Sequence, residues 1–557
     1  MASIFTDSWE NIGRSLEPPG PRDSNTDELA HTEEKTDTTA NSSTDAFAAS
    51  NEMDRIPVMP MRKAAALSFT LMGAAFLNTL SVQAMVIAMP SIGKDLKIPE
   101  SRYQWIISSY SLTFGCFLLL WGKIGDIYGK RLVFLLGGIW VALSSLGTAF
   151  CRTEISFVVL RAISGLGAAA NVPAAIGILG TTIPPGRVKS YSFAMYSAGA
   201  PLGAVCGILV GGLMTQYATW KSIFYLVSAV CMAVTIIAYF IIPIPPPKEK
   251  GSSKLTVDWI GAFLITSCFV LLIVALSQGN SEPQGWKTAY VIALLVICVL
   301  LFVAFVYWQR WLENKTEREP LMRLSIWKHR GFTMSMIVSG FFWASFNNYM
   351  VYSTFFYQDY LSLSPIATTL RFVPTGVAGV LMTIISGYLL SRVSGQYILL
   401  VGIFCTSLAS ILMAIPIAPT TTYWAYGFPA MILAVMGADT VYPCLSLYTT
   451  SRMLMKDQSL AGGIFNTVGQ LGRAIGLALV TAVDVSVRHS GGNGLGGPKP
   501  EENDHNGMEK WVMLGAFRTT QWVNSGFAIV AWVVVLAGLR RIGKVGAAKV
   551  LVEKSTA

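Results

Sequence analysis

The sequence predicts an all-α, polytopic membrane protein with 14 transmembrane helices, from its composition and its apolar runs. Of its 557 residues, 53% are apolar and 13% are charged, whereas soluble domains carry roughly 25% charged residues. Apolar runs long enough to cross a hydrocarbon core, which takes about 20 helical residues, recur along the chain. The net charge of +10 comes from Lys and Arg in the short loops between these runs. It therefore indicates orientation in a membrane and not binding to nucleic acid.

The elements follow in order from these runs. Residues 1–63 are rich in Ser, Thr, Asp and Glu, so a disordered cytosolic tail is expected there. The apolar runs predict helices near residues 64–90, 103–121, 132–150, 155–180, 190–214, 221–244, 257–277, 288–309, 331–358, 365–390, 397–417, 422–450, 458–486 and 517–540. Lys and Arg are concentrated in every second loop, which places those loops and both termini in the cytosol.

Two stretches of equal length echo each other. Residues 122–137 read GKIGDIYGKRLVFLLG, and residues 387–402 read GYLLSRVSGQYILLVG. They follow predicted helices 2 and 10. Such a repeat is typical of membrane proteins built from two related halves that pack about a pseudo-axis.

The first of these stretches holds a compact cluster of charges and glycines. The members, termed the latch residues, are Gly122, Gly125, Asp126, Gly129, Lys130 and Arg131. Glycines let helix backbones approach closely, and an acidic side chain can cap a neighbouring helix N-terminus for about 0.3–1 kcal/mol. Asp126 could also pair with Arg131. The cluster therefore predicts a latch between helices, with a solvated loop charge as the alternative for Asp126.

Two charged side chains fall inside predicted helices. Arg161 lies in helix 4, and Asp439 lies deep in helix 12. A charge at that depth costs roughly 2.5 kcal/mol or more, so both are candidates for proton coupling or for charges that face a cavity. The alternatives are that Arg161 reaches back to the membrane surface and that Asp439 is a buried acid satisfied by hydrogen bonds. Asp359 and Asp484 lie near helix ends, where we expect them at the interface.

Predicted helix 5 carries a stripe of small residues. Gly203, Gly207 and Gly211 recur every four residues, so they share one face and predict close contact with another helix. Pro201 removes a backbone hydrogen bond and predicts a bend.

Polar side chains in helices 1 and 9 predict a cavity for an organic ligand. Helix 9 combines aromatic and amide side chains, which suit an apolar cavity with a few polar anchors. An interfacial aromatic belt is the alternative for its aromatic residues. The residues predicted to line the cavity are Asn78, Gln83, Trp343, Asn347, Asn348 and Tyr349.

The sequence offers no signature of a cofactor, a metal or a catalytic centre. The eight cysteines form no CxxC pair and predict free thiols, and the four histidines lie in tails or loops. A GxxxxGK[ST] phosphate loop is absent from the sequence. We therefore expect neither an enzyme nor an ATP-driven pump.

Taken together, the motifs resemble the major facilitator superfamily, in its 14-helix drug:proton antiporter branch. GKIGDIYGKR at 122–131 is similar to the superfamily signature between helices 2 and 3, and LRAISGLGAA at 160–169 is similar to the helix 4 motif with Arg161. SAGAPLGAVCGILVGG at 197–212 resembles the helix 5 antiporter motif. The members of that motif here are Gly199, Pro201, Gly203, Gly207 and Gly211.

The resemblance implies a major facilitator fold, with two six-helix halves plus two extra central helices. The implied segments are a six-helix half at 64–244, two linker helices within 245–309, a cytosolic loop at 310–330, a second six-helix half at 331–541 and a cytosolic tail at 542–557.

The resemblance also implies a function. The expected activity is export of a small organic molecule, such as a drug, a toxin or a fungal secondary metabolite, by proton antiport with alternating access. The expected setting is a monomer in the lipid bilayer of the cell membrane, or of the vacuole, and the latch residues would hold the cytosolic side closed in the outward-open state. Fungal aminotriazole-resistance-type and secondary-metabolite efflux proteins are the members that it most resembles.

Two other functions stay open, and one position departs from the family pattern. The chain could carry a small inorganic solute such as borate or ammonium, or it could be a membrane sensor that transports nothing. Many members carry an acidic residue in helix 1 where this chain has Ser81, before Pro90. The identity of the proton carrier is therefore open.

Overall fold

The computed structural model describes residues 60–98, 103, 105–244, 257–281, 285–315, 320–415, 421–451, 453, 457–491, 504–540 and 542–545. These residues form fourteen α-helices. In chain order they are α1 (Met61–Asp95), α2 (Trp105–Tyr128), α3 (Lys130–Ala149), α4 (Glu154–Thr182), α5 (Arg187–Tyr217), α6 (Trp220–Ile241), α7 (Trp259–Ser281), α8 (Ala289–Lys315), α9 (Arg330–Phe355), α10 (Pro365–Arg392), α11 (Gly395–Ala414), α12 (Tyr423–Ser451), α13 (Gln458–His489) and α14 (His505–Gly538). Of the predicted tails, residues 1–59 and 546–557 lie outside the described residues.

Thirteen of these helices are long and apolar enough to cross a membrane, judged by length and composition. The fourteenth is α9, which matches a predicted membrane helix in position and length. Its hydropathy is lowered by polar side chains that the bundle buries, among them Ser335, Ser339, Ser345 and Asn348. The predicted all-α membrane fold is confirmed.

Three helix ends differ clearly from the prediction, and the largest difference is the start of α14, which lies at His505 and not near 517. Helix α2 continues to Tyr128, well beyond the predicted end at 121, so Gly122, Gly125 and Asp126 are helical and do not lie in a loop. Only Gly129 separates α2 from α3, and its φ of 111° lies in the left-handed region that favours glycine. Helix α8 continues to Lys315, so the first residues of the loop predicted at 310–330 are also helical.

Helices α1–α6 and α9–α14 pack in one repeated pattern. In the first set, α1 packs on α5 and α6, α2 on α4, and α3 on α4 and α6. In the second set, α9 packs on α13 and α14, α10 on α12, and α11 on α12 and α14. Between the sets, α2 packs on α13 and α5 packs on α10. The repeat relates α2 to α10 and α5 to α13, so these two contacts are equivalent. The two sets are therefore related halves.

The echo in the sequence corresponds to one repeated helix crossing. A Cβ atom on Gly137 of α3 would lie 3.0 Å from the carbonyl oxygen of Gly167 on α4. A Cβ atom on Gly402 of α11 would lie 3.4 Å from the carbonyl oxygen of Gly437 on α12. Gly137 and Gly402 are the last residues of the two echoed stretches, so both halves use a glycine there to bring the same two helices together.

The apolar cores of the two halves join at one end of the bundle. Leu447, near the end of α12, packs in the core of the first half, and Cys116 and Leu119, from the middle of α2, pack in the core of the second half. The joined cores lie toward the end of the bundle where α2 ends and α13 begins. At the opposite end, one core around Phe157 belongs to the first half and another around Tyr357 belongs to the second. We term these the latch end and the far end.

The two linker helices lie against both halves. Helix α7 packs on α2 and α13, and α8 packs on α7. Asp258, just before α7, accepts hydrogen bonds from Trp308 Nε1 at 3.0 Å and from Gln309 Nε2 at 2.6 Å, both on α8. Gln309 Oε1 in turn accepts a hydrogen bond from the backbone N–H of Met322 at 3.3 Å. This polar clasp ties α7, α8 and the segment before α9 together.

Candidate functional site

Asp126 connects the two halves at the latch end. Its Oδ1 accepts a hydrogen bond from the backbone N–H of Ser459 at 3.1 Å, and its Oδ2 accepts one from Leu460 N–H at 2.7 Å. Both amides belong to the first turn of α13, where N–H groups lack partners within the helix and the helix dipole attracts negative charge. Asp126 therefore caps a helix of the opposite half, and it is not a solvated loop charge.

The ion pair of Asp126 involves Lys130 and not Arg131. Lys130 Nζ lies 3.1 Å from Asp126 Oδ1. Arg131 donates to the carbonyl oxygen of Tyr239 on α6 at 2.6 Å, and its guanidinium lies 5.1 Å from the centre of the Tyr239 ring. The predicted pairing of Asp126 with Arg131 is thus wrong, because successive residues of α3 point about 100° apart around the helix.

Small residues allow the halves to meet at the latch. A Cβ atom on Gly122 would lie 2.8 Å from the carbonyl oxygen of Ser459, so the start of α13 requires glycine there. Gly125 meets only the Ser459 side chain at 3.6 Å, an ordinary contact. On the other side of α13, a Cβ atom on Gly177 of α4 would lie 3.0 Å from the Ser459 Cβ. The start of α13 therefore sits between α2 and α4.

The glycine stripe of α5 packs against α1. Cβ atoms on Gly199, Gly207 and Gly211 would lie 2.6–2.7 Å from the carbonyl oxygens of Met72, Leu80 and Ala84. Gly203 meets the carbonyl of Phe76 in the same way. The seam predicted from spacing alone therefore joins two helices within one half. Pro201 lies inside α5 and approaches Gly379 of α10, so it faces the other half.

Arg161 is enclosed within the first half. Its Nη1 donates to Ser81 Oγ at 3.0 Å, and its guanidinium lies 4.6 Å from the centre of the Tyr110 ring. The Tyr110 hydroxyl donates to Asn78 Oδ1 at 2.7 Å. The side chain is 1% exposed, so it does not reach the membrane surface. Asn78 and Ser81 line a narrow cavity inside this half, together with Tyr110 and Asn171.

Asp439 lies where α12 meets the helices that join the halves. The side chain is buried, and its Oδ2 has no hydrogen-bond partner among the described residues. A Cβ atom on Gly379 of α10 would lie 2.9 Å from this oxygen, and Gly379 also contacts Pro201 of α5. The alternative of an acid fully satisfied by hydrogen bonds is therefore wrong for this state.

A second group of polar side chains lies on α13, between the halves. Asn466, Gln470 and Arg473 follow at i, i+4 and i+7 and so share one helix face. The Arg473 guanidinium lies 3.9 Å from the centre of the Trp343 ring on α9, and Trp343 packs edge to face against Tyr442 of α12. The term central cleft denotes these five residues. Gln470 approaches Gly115 of α2 in the other half, with 3.4 Å from its Cβ to a Cβ built on the glycine.

Comparison with known proteins decides the family. The family model described as Major Facilitator Superfamily matches residues 71–477. The chain belongs to the major facilitator superfamily. It is a multi-pass membrane transporter and not an enzyme.

Two relatives and one solved structure illustrate the breadth of this superfamily. A low affinity ammonium transporter of Saccharomyces cerevisiae is 30% identical over 403 residues, which are 71% of this chain and 76% of the relative. The Aspergillus terreus efflux pump terG is 26% identical over 491 residues, which are 85% of this chain and 87% of the relative. The proton:xylose symporter XylE superposes with a TM-score of 0.58 at 12% identity, covering 85% of this chain and 95% of that structure.

The residues predicted to line one cavity lie in different parts of the structure. Trp343 lies in the central cleft, and Asn347 is partly exposed on α9. Asn348 is buried against α13, with 2.9 Å from its Nδ2 to a Cβ built on Gly476, and no hydrogen-bond partner among the described residues. Tyr349 is fully buried in the far-end core, where its hydroxyl lies 3.8 Å from Met431 Sδ. Its prediction as a cavity residue is wrong, because α9 turns it away from the cleft.

The two residues of helix 1 that were predicted to line the cavity also lie outside the central cleft. Asn78 belongs to the Arg161 network, and Gln83 faces the α5 seam, with 3.1 Å from its Cβ to a Cβ built on Gly207. Of the residues missed in the sequence, Arg473 is the most informative. An arginine within an apolar run and a polar stripe at i, i+4 and i+7 were both visible there, but which helix they face depends on tertiary structure.

Proposed function

We propose that this transporter exports a small organic molecule by alternating access, in exchange for protons. The observation that carries the proposal is the asymmetry of the bundle. The cores of the two halves merge at the latch end, where Asp126 caps α13, and they are separate at the far end. The residues of the central cleft lie on α9, α12 and α13, and Gln470 among them approaches α2 of the other half. This arrangement corresponds to an outward-open transporter if the latch end faces the cytosol, as the Lys and Arg distribution favours.

The latch supplies the two-state element that alternating access requires. In this state two backbone N–H groups of α13 and Lys130 share one carboxylate. Opening at the latch end would separate α2 from α13 and leave the two N–H groups to water, while Lys130, in the same half as Asp126, would stay beside it. The latch residues thus shift the population of the two states without contact to substrate.

Proton coupling is assigned to Asp439, with Arg161 as a second candidate. Asp439 lies beside Gly379 and Pro201, at the crossing of α10 and α5 that joins the halves. Gain or loss of a proton there would act directly on that crossing. Arg161 donates a hydrogen bond to the hydroxyl of Ser81 on α1, and not to a carboxylate of that helix.

Accumulation in yeast cells tests export. In a strain that lacks its major efflux pumps, the protein is expected to lower the energy-dependent accumulation of at least one toxic organic compound from a broad panel. A variant with both Asp126→Asn and Asp439→Asn serves as the inactive control. Unchanged accumulation of every compound, with the protein visible at the cell surface, would contradict export.

Transport of ammonium is the second candidate, since a relative at 30% identity is named a low affinity ammonium transporter. Uptake of labelled methylammonium separates the two functions. An exporter of organic molecules should leave methylammonium flux unchanged, whereas an ammonium carrier should raise it and leave the panel unaffected. The same strain, with a fluorescent tag on either terminus, tests placement in the plasma membrane rather than the vacuole and cytosolic exposure of both termini.

A further inference from the structure

We infer that the central cleft recognises organic anions, and that Arg473 binds the anionic group of the substrate. This inference rests on the proposed function and names its substrate class. The recognised chemistry is a planar carboxylate attached to an apolar or aromatic body. Arg473 would act as a binding residue and not as a part of the latch.

The position of Arg473 points to a ligand in the cleft. It shares a face of α13 with Gln470, which approaches α2, and with Asn466. Successive residues of a helix differ by about 100°, so Gly469, Gly472 and Gly476 form a flank beside this polar stripe, and that flank packs against α9. The glycine flank makes the contact within the half, while Gln470 brings the polar stripe to α2 of the other half.

The charge of Arg473 is not balanced by the chain. Its buried Nε donates no hydrogen bond, and it forms no ion pair with any residue in the described part of the chain. Even partial burial of an unpaired guanidinium is costly. The Trp343 ring, whose centre lies 3.9 Å from the guanidinium, offsets part of that cost. The side chain is partly accessible, so a ligand carboxylate can supply the missing acceptors.

The surroundings of the guanidinium fit an aromatic acid. Trp343 packs against Phe346 and Tyr442, and Tyr442 packs against Phe465, with ring centres 5.4–5.9 Å apart. These rings offer apolar surface for the body of a ligand, while the arginine can hold a carboxylate through two parallel hydrogen bonds. An amine would instead place a cation beside Arg473.

Binding to the purified, full-length protein tests the inference. The probes are three aromatic acids, namely benzoate, 2-naphthoate and indole-3-acetate, each compared with its neutral primary amide. For at least one acid, the unmodified protein is expected to bind the acid more tightly than the amide. Arg473→Gln should weaken binding of that acid about tenfold or more, since a charge-assisted hydrogen bond contributes roughly 1.5–3 kcal/mol. Affinity for the amide should change less than twofold.

Two further variants separate charge recognition from misfolding. Arg473→Lys keeps the charge but loses the planar fork, and it should recover part of the affinity for the acid. Arg488→Gln removes one positive charge from the same helix, at an exposed pair with Asp484, and should bind the acid as the unmodified protein does. Equal binding of acids and amides, no binding of any acid, or full affinity in Arg473→Gln would each overturn the inference.

The binding assay is independent of transport. If acids bind through Arg473 and cells show no change in accumulation of any compound, the proposal of export fails and the recognition of anions stands. If cells export amines or neutral compounds while acids do not bind, the recognition of anions fails and export stands.

Discussion

At the scale of single residues, the carboxylate of Asp126 connects the two halves at the latch end. Asp126 accepts two backbone hydrogen bonds from α13 and pairs with Lys130. The two backbone hydrogen bonds cross the joint that opens in the proposed transport cycle, so their strength would set the balance between the two states, whereas Lys130 belongs to the same half as Asp126. Arg131 instead contributes to the contact of α3 with α6, within the first half, and forms no part of the α2–α13 contact described above.

Neutralising Asp126 should therefore slow transport without weakening substrate binding. Asp126→Asn removes the charge that favours the start of α13, an effect worth about 0.3–1 kcal/mol for the dipole alone. We expect the maximal transport rate in proteoliposomes to fall several-fold, while the apparent affinity for substrate stays within about twofold. Arg131→Ala is the comparison and should have a smaller effect. A large loss of affinity at an unchanged maximal rate would contradict the latch.

At the scale of helices, close contact depends on which glycine faces a neighbour. A Cβ atom on Gly211 would lie 2.7 Å from the carbonyl oxygen of Ala84 and 2.9 Å from its Cα, both parts of the α1 backbone. The next residue, Gly212, has no atom within 4 Å of a Cβ built on it, among the described residues. Adjacent residues of α5 therefore differ in whether a methyl group can be accommodated.

Alanine substitutions at these two positions form a matched pair. Gly211→Ala should lower the thermal unfolding midpoint of the purified protein, because α1 and α5 must move apart. Gly212→Ala should leave the midpoint unchanged or raise it slightly, since alanine is favoured over glycine inside a helix by roughly 0.5–1 kcal/mol. Equal midpoints for the two variants would show that the α1–α5 contact is looser than described.

The linker helices should depend on the polar clasp at Asp258. Asp258→Ala leaves Trp308 Nε1 and the buried Gln309 Nε2 without their acceptor, at a cost of about 1–3 kcal/mol for each unsatisfied group. We expect a lower unfolding midpoint and faster proteolysis of the segment between α8 and α9. Asp258→Asn keeps one acceptor oxygen and should lose less. If the alanine variant is cleaved at the same rate as the unmodified protein, the hydrogen bonds of Asp258 do not hold this segment in place.

The sequence was sufficient for some of these elements and insufficient for others. Apolar length located all fourteen helices, including α9, because each must satisfy its own backbone inside a membrane. The end of α2 was misplaced, since Lys123 and Asp126 look like loop residues although the fold buries both side chains. The partner of Asp126 and the orientation of Tyr349 and Arg473 depend on how helices from the two halves meet, which spacing along one helix does not specify.

At the scale of the whole molecule, the two most extensive contacts between the halves differ in chemistry. The joint of α2 with α13 is held by Asp126 and by close backbone contact at Gly122. The joint of α5 with α10 places Pro201 and Gly379 beside Asp439, whose Oδ2 lacks a partner among the described residues. The α2–α13 contact therefore holds the latch residues, and the α5–α10 contact holds the group proposed to exchange protons. In the proposed cycle, a proton taken up at Asp439 would act at the α5–α10 crossing, so coupling would need no direct contact with the latch.

Replacement of Asp439 should accordingly uncouple substrate transport from the proton gradient. Asp439→Asn keeps the size of the side chain and cannot exchange a proton, so the variant should lose pH-driven accumulation of substrate and keep downhill exchange. The measurement is substrate flux in proteoliposomes, with and without an imposed pH gradient. Asp484→Asn is the control, since it removes an acid that already pairs with Arg488 at 2.9 Å on α13, and it should behave as the unmodified protein. If Asp439→Asn responds to the gradient as the unmodified protein does, the proton carrier is another group, and the α5–α10 joint serves packing alone.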